Sequence, residues 1–172
     1  MIKLSLDALL DFLRKKGLDA NIQKETKQIV VVLKIAERDF PLFFRIFSGE
    51  ELLQLLVFIP CTIKPNALPD TARLLHLLNK ELDIPGFGMD EVTSTIFYRC
   101  MIPVKDKEVD ETFLNAYLNS IEIICKTLGP VIASVAYGAT TFNEVLEKSK
   151  QRGSKTAKKV AFFHPFWYSV SY

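Results

Sequence analysis

The sequence has few of the side chains that most often carry chemistry. Its 172 residues include two histidines, His76 and His164. Nucleophilic catalysis needs a serine, cysteine or threonine beside a base, which is usually histidine. His76 falls on a cationic helix face and His164 lies near the C-terminus, so we interpret both as structural or solvent-exposed. Neither CxxC nor HExxH occurs, so no zinc site is predicted. We expect no enzyme activity, no metal and no cofactor.

Cysteine is also scarce. Cys61, Cys100 and Cys125 are odd in number and far apart in the chain, so no disulfide framework is implied. Cys100 and Cys125 each fall in an apolar phase of their predicted element, which favours packing in the core. This cysteine usage is typical of a reducing compartment, and we predict a cytoplasmic protein.

Long uncharged apolar runs are missing too. Asp7 and Asp11 interrupt the N-terminal apolar stretch, which therefore lacks the core of a signal peptide. The apolar run 131–141 is too short to cross a bilayer, and no membrane span is predicted. Gly86 and Gly88 follow a predicted helix and enter a strand, which is the wrong context for a phosphate-binding loop.

Positive charge is confined to one segment. The net charge is +2, and residues 147–159 contain six basic residues and one acid, which leaves the rest of the chain at a net −3. A nucleic-acid-binding domain normally carries its basic residues on the folded face. We therefore predict no nucleic-acid partner, and we interpret the basic segment 148–159 as a solvated tether, with an anionic surface as the alternative.

Apolar strands are abundant. Hydrophobic residues make up 49% of the chain and phenylalanine occurs thirteen times. The segments 28–36, 40–47 and 52–59 are apolar in both alternating phases, and their short links favour hairpins in an antiparallel meander. Residues 52–59 also carry helical spacing, but their β-branched and aromatic end favours a strand.

Helices are predicted before and after these strands in the chain. Ser5 can cap a first helix that ends at Gly17, and Pro69 suits the first turn of a second helix. A hairpin through Asp90 and Glu91 follows, with a second strand over 92–102. The pattern thus predicts an α/β (α+β) fold with an antiparallel sheet of about five strands packed with helices.

The C-terminal third is predicted to be helical and then irregular. Asp110 can cap a long helix that is interrupted at Gly129 and Pro130. Its predicted apolar stripe consists of Phe113, Tyr117, Ile121, Ile124 and Leu128. Thr140 or Thr141 caps a short helix over 142–150, the segment 149–159 has the composition of a flexible link, and an aromatic segment closes the chain. We divide the chain into a domain over residues 1–138 and a C-terminal region over 139–172.

One sheet face is left with apolar residues that the domain's helices do not cover. Helices on one face bury one phase of each strand, and the other phase needs a partner layer. Its predicted protein-binding residues are Val30, Val32, Phe43, Phe47, Phe97 and Met101. The C-terminal aromatic segment, a second subunit or a client polypeptide can each supply that layer. We predict a protein-binding module; the alternative is a small-ligand-binding or regulatory protein with a pocket between the sheet and the C-terminal aromatic residues.

The order of elements resembles that of the type III secretion chaperones and the related YbjN-like proteins. The resemblance depends on the opening helix at 9–17, the asparagine-bearing helix LLHLLNKE at 74–81, the strand FYRCMIP at 97–103 and the closing helix at 110–124. It covers about residues 1–137. It implies a small, non-enzymatic, commonly dimeric cytosolic protein that holds an extended segment of a client or effector protein on apolar patches.

Overall fold

An antiparallel sheet of six strands is the centre of the fold. The structure is a computed structural model, and it describes residues 1–47, 49 and 51–155. The strands are β1 (Ile2–Lys3), β2 (Ala20–Gln23), β3 (Gln28–Ile35), β4 (Arg38–Ile46), β5 (Leu52–Ile59), β6 (Phe87–Asp90), β7 (Thr95–Pro103) and β8 (Glu108–Val109). The helices in these residues are α1 (Leu6–Lys15), α2 (Leu68–Glu81), α3 (Glu111–Ala136) and α4 (Phe142–Lys155).

The sheet order is β2-β3-β4-β5-β7-β6, and every neighbouring pair is antiparallel. This confirms the α+β class and the meander. The sheet has six strands rather than about five because β2 joins its edge through a turn at 24–27, where Lys27 has a φ of 50°. A second, two-stranded sheet pairs β1 with β8 and ties the N-terminus to the segment before α3.

The predicted caps of α1 and α3 are present. The hydroxyl of Ser5 accepts the Ala8 N–H at 3.3 Å, and the Asp110 carboxylate accepts the N–H groups of Thr112 and Phe113 at 2.7 and 3.1 Å. These side chains satisfy N–H groups that have no partner within the helix. The caps therefore fix where each helix begins.

The core lies between one face of the large sheet, which we call the inner face, and the helices. α1 contacts β2 and β3, α3 contacts β3 and β5, and α2 contacts β6 and α3. Successive strand residues point to opposite faces, so the inner face carries every second residue. These inner residues are fully or nearly fully buried, among them Ile29, Val31, Leu42, Phe44, Leu53, Leu55, Val57, Ile96, Tyr98 and Cys100.

The predicted interruption of the long helix is wrong, because α3 continues through Gly129 and Pro130. Gly129 is buried against the Phe40 ring, where an added Cβ would lie 3.3 Å from Cζ, so the glycine permits close helix–sheet packing. Proline removes one helical N–H, and the Lys126 carbonyl that this N–H would bond lies at an exposed position of the helix, where water can bond it.

The predicted stripe of α3 is shifted by one position at its start. Leu114 and Leu118 are buried with Ile121, whereas Phe113 is 67% exposed. Both sets have helical spacing, and packing on β3 and β5 selects the leucines.

Among the described helices, α3 is the one with the length and hydropathy to cross a membrane, and 39% of its most apolar window is buried. Central helices of soluble folds share these properties, and α3 packs on the sheet. The absence of a membrane span was predicted partly from the break at Gly129 and Pro130, and it stays a prediction.

α4 is longer than predicted. Thr141 begins it with a reciprocal cap: the Thr141 N–H donates to the Glu144 carboxylate at 2.8 Å, and the Glu144 N–H donates to the Thr141 hydroxyl at 3.2 Å. The helix extends to Lys155, so residues 149–155 are helical and not a flexible link. An ion pair between Glu147 and Lys150 at 2.9 Å links the start of this stretch to the preceding turn of the helix. The predicted aromatic segment lies outside the described residues.

Candidate protein-binding face

The sheet face opposite the helices, which we call the outer face, carries all six residues predicted to bind a protein. Val30 and Val32 lie on β3, Phe43 on β4, and Phe97 and Met101 on β7, each at a position that alternates with buried inner residues. Phe47 follows β4 in the same phase. Val32 and Met101 are 44% and 39% exposed, and the others are half-buried. Their role in binding stays a prediction.

Strand register brings three phenylalanines on this face into one row. The rings of Phe43 and Phe58 lie 5.7 Å apart at an interplanar angle of 89°, and those of Phe58 and Phe97 lie 6.4 Å apart at 68°. Such edge-to-face pairs contribute about 0.5–1.5 kcal/mol beyond the area they bury. Val30 pairs with Phe43 across β3 and β4 and extends the row toward one edge of the sheet.

The outer face is less apolar than the sequence predicts, because arginine side chains lie beside two of its aromatic rings. The guanidinium of Arg45 lies 4.8 Å from the centre of the Phe47 ring, and that of Arg99 lies 5.9 Å from the centre of the Phe97 ring. Guanidinium groups stack favourably on aromatic faces. The strands thus pair apolar rings with cationic groups.

A shallow depression of about 520 Å³ lies between these groups. Leu56 and Phe58 line it, and so does Asp90, the last residue of β6. Its size is within the range of about 300–1,000 Å³ that holds ligand groups or partner side chains.

Leu56 and Phe58 are outer-face residues that were not predicted as binding residues. They occupy the same phase of β5, alternating with the buried Leu55 and Val57. This alternation could have identified them. The row itself could not be predicted, because Phe58 and Phe97 become neighbours only through the pairing of β5 with β7, and they are 39 positions apart in the chain.

The thiols lie away from this face or below its surface. Burial raises the pKa of the Cys125 thiol to about 12 and that of the Cys61 thiol to about 11, and burial likewise raises the pKa of Cys100. A thiol with so high a pKa is almost entirely protonated near neutral pH and is a poor nucleophile. Within the residues described, no three His, Cys, Asp or Glu side chains are grouped as a metal site.

The predicted pocket between the sheet and the C-terminal aromatic residues cannot be located here, because residues 160–172 lie outside the described part of the chain. The small-ligand alternative that depends on that pocket stays a prediction.

Comparison with known proteins places the fold in context. The family model YbjN, described as "Putative bacterial sensory transduction regulator", matches residues 5–134. A chain in the crystal structure of the ExsC-ExsE complex is similar to this one with a TM-score of 0.53 and 15% sequence identity, over 74% of this chain and 92% of that chain. This likeness confirms the secretion-chaperone-like α+β fold. No curated protein sequence matches the chain.

Proposed function

Because the chain belongs to the YbjN family, we propose that it is a non-enzymatic protein-binding module of chaperone or adaptor type. Its outer face holds an extended segment of a partner protein. The family's description as a regulator and the fold shared with a chain of a two-protein complex both support a role in binding a protein.

The observation that carries this proposal is the aromatic row on the outer face. Phe43, Phe58 and Phe97 lie side by side across three strands, on the face that α1 and α3 do not cover. Aromatic residues dominate the energetics of protein interfaces because they bury a large area with few rotatable bonds.

The charges around the row define the partner that fits. Arg45 and Arg99 line the depression, and their guanidinium groups lie over the rings of Phe47 and Phe97. A partner segment with alternating apolar and acidic residues would place apolar side chains on the rings and carboxylates beside the guanidiniums. Asp90 also lines the depression and disfavours an acidic residue of the partner beside it.

We further propose that the protein is a cytoplasmic homodimer, and that the binding unit is residues 1–138. The family match ends at residue 134, which supports this boundary. The mass of the purified protein by light scattering tests the oligomeric state.

A photoreactive amino acid in place of Met101 tests the function directly. It is introduced in cells that contain the native partners, the cross-linked protein is identified by mass spectrometry, and its affinity is then measured with both proteins purified. We expect Val32→Asp and Met101→Asp to weaken that affinity at least about tenfold, which corresponds to about 1.4 kcal/mol.

Val92→Asp is the matched control, because Val92 is 95% exposed and lies in the β6–β7 turn. It introduces the same charge and should leave the affinity unchanged. Equal affinities for wild type, Val32→Asp and Met101→Asp, with all three folded by circular dichroism, would exclude the outer face as the binding surface.

A further inference from the structure

A second apolar surface lies on the helical side of the molecule. It is a groove of about 480 Å³ between α2, α3 and α4, which we call the helical groove. Its apolar lining is half-buried and consists mainly of Leu77, Leu78, Leu128, Val131, Val145 and Leu146. This volume falls in the range of about 300–1,000 Å³ that binds a ligand or a short segment of chain.

α4 supplies one wall of the helical groove and is fastened to α2 at its start. The Phe142 N–H donates to the Asp70 carboxylate at 3.0 Å, and the Arg73 guanidinium lies 4.2 Å from the centre of the buried Phe142 ring. α4 lies beyond the family match, which ends at residue 134. The groove is therefore completed by a part of the chain that lies outside the family match.

The chain that follows α4 can return to the groove. Ser149 lines the groove, and α4 continues for six residues to Lys155, or about 9 Å at the rise of an α-helix. The four residues 156–159 span up to about 13 Å when extended. Four extended residues are therefore long enough to run back along the last turns of α4 to the level of Ser149. The residues from Val160 onward can then reach the groove.

The segment 160–172 has the composition that such a groove binds. Six of its thirteen residues are aromatic, and it contains no acidic residue. A segment joined by a short linker has an effective concentration of the order of millimolar at a neighbouring site. Even a weak affinity is then sufficient for occupancy.

We propose that residues 160–172 bind the helical groove of their own chain. An outside protein that uses this groove has to displace the segment first. The groove lies on the opposite side of the sheet from the outer face, so this inference does not depend on the proposed function.

Trp167 reports on this binding, because it is the only tryptophan in the sequence. In the full-length protein, we expect its emission to be at shorter wavelength than in urea and its quenching by acrylamide to be weaker. Leu146→Glu, in the groove, should move both readings to the values of the unfolded chain. Ile123→Glu, a similar change at a residue of α3 that is 61% exposed, should leave them unchanged.

If Leu146→Glu does not fold, cross-linking tests the same binding in the protein without that change. A photoreactive phenylalanine in place of Phe166 in the full-length protein should form links to α2, α3 or α4 within one chain, as shown by mixing isotopically labelled and unlabelled protein. Links to the outer face, or links between labelled and unlabelled chains, would overturn the proposal. So would a wild-type Trp167 that is quenched as strongly as in urea.

Discussion

The side chain of Asn79 on α2 bonds both polar groups of the Phe87 backbone. Its Nδ2 donates to the Phe87 carbonyl at 2.9 Å, and its Oδ1 accepts the Phe87 N–H at 2.9 Å. The Gly86 N–H also donates to Oδ1, at 3.1 Å. Asn79 therefore acts as a neighbouring strand would for the edge strand β6, and it connects the helix layer to the sheet.

We expect Asn79→Ala to lower the free energy of unfolding by about 2–3 kcal/mol. Three hydrogen bonds are lost, and partly buried backbone groups that are left without a partner cost about 1–3 kcal/mol. Urea denaturation followed by circular dichroism measures the change. Asn119→Ala on the exposed side of α3 is the control and should change stability by less than about 0.5 kcal/mol. Equal effects of the two variants would show that the contact with Phe87 contributes little.

Local signals in the sequence predict most elements of this fold, because caps, turns and alternation act over a few residues. Ser5 and Asp110 begin their helices where predicted. β2 was missed because its residues Asn21 and Gln23 are polar, and it is held by pairing with β3. Pro130 was misread because the packing of Gly129 on Phe40, far away in the chain, keeps the helix continuous.

The candidate face was predictable in part. Alternation along each strand assigns Phe43 and Phe97 to the phase opposite the core. Which residues become neighbours depends on register, and register is fixed by pairing over long distances in the chain. The position of Arg99 opposite Leu56, and hence the mixed character of the face, could not be deduced from either strand alone.

The turn into β6 requires glycine at two positions, for different reasons. A Cβ on Gly86 would collide with the carbonyl oxygen of Arg99, which is fixed by the sheet, whereas a Cβ on Gly88 would lie 2.6 Å from Cζ of the Phe97 ring, which can move. We therefore expect Gly86→Ala to be more destabilising than Gly88→Ala, by about 1 kcal/mol or more. Thermal unfolding of the two variants compares them, and the reverse order would contradict this account.

The cap of α3 gives the stability a pH dependence. The Phe113 N–H, and then the Thr112 N–H, donate to the Asp110 carboxylate and lower its pKa. A pKa that is lower in the folded state contributes stability that is present above the unfolded value, about 3.9 for aspartate, and is lost as pH falls through the folded value. Asp110→Asn keeps a capping side chain and should flatten the stability profile below pH 4, whereas Asp110→Ala should be less stable at every pH. Parallel profiles for wild type and Asp110→Asn would contradict this prediction.

The three thiols should differ in reactivity. Cys61 is half-buried with a pKa raised by burial to about 11, and Cys125 is buried with a pKa raised by burial to about 12. At pH 8 we expect one thiol of the folded protein to react slowly with a thiol reagent and all three to react quickly in urea. Cys61→Ser should abolish the slow phase. A slow phase that persists in this variant would show that a buried thiol becomes exposed in the folded protein.

Phe58 is the central ring of the aromatic row on the outer face, and its position predicts how much it contributes to stability. This ring contacts Phe43 on one side and Phe97 on the other, at 5.7 and 6.4 Å between ring centres, and it is half-buried. Phe58→Ala removes two edge-to-face ring contacts and part of the buried apolar area. We therefore expect this variant to lower the free energy of unfolding by about 2 kcal/mol.

Phe113→Ala is the matched control, because Phe113 is 67% exposed and should contribute less than about 0.5 kcal/mol. A loss of about 4 kcal/mol or more for Phe58→Ala would be the value of a fully buried phenylalanine. That result would mean that another layer covers the outer face in the isolated protein, and a partner would then have to displace this layer before it could bind.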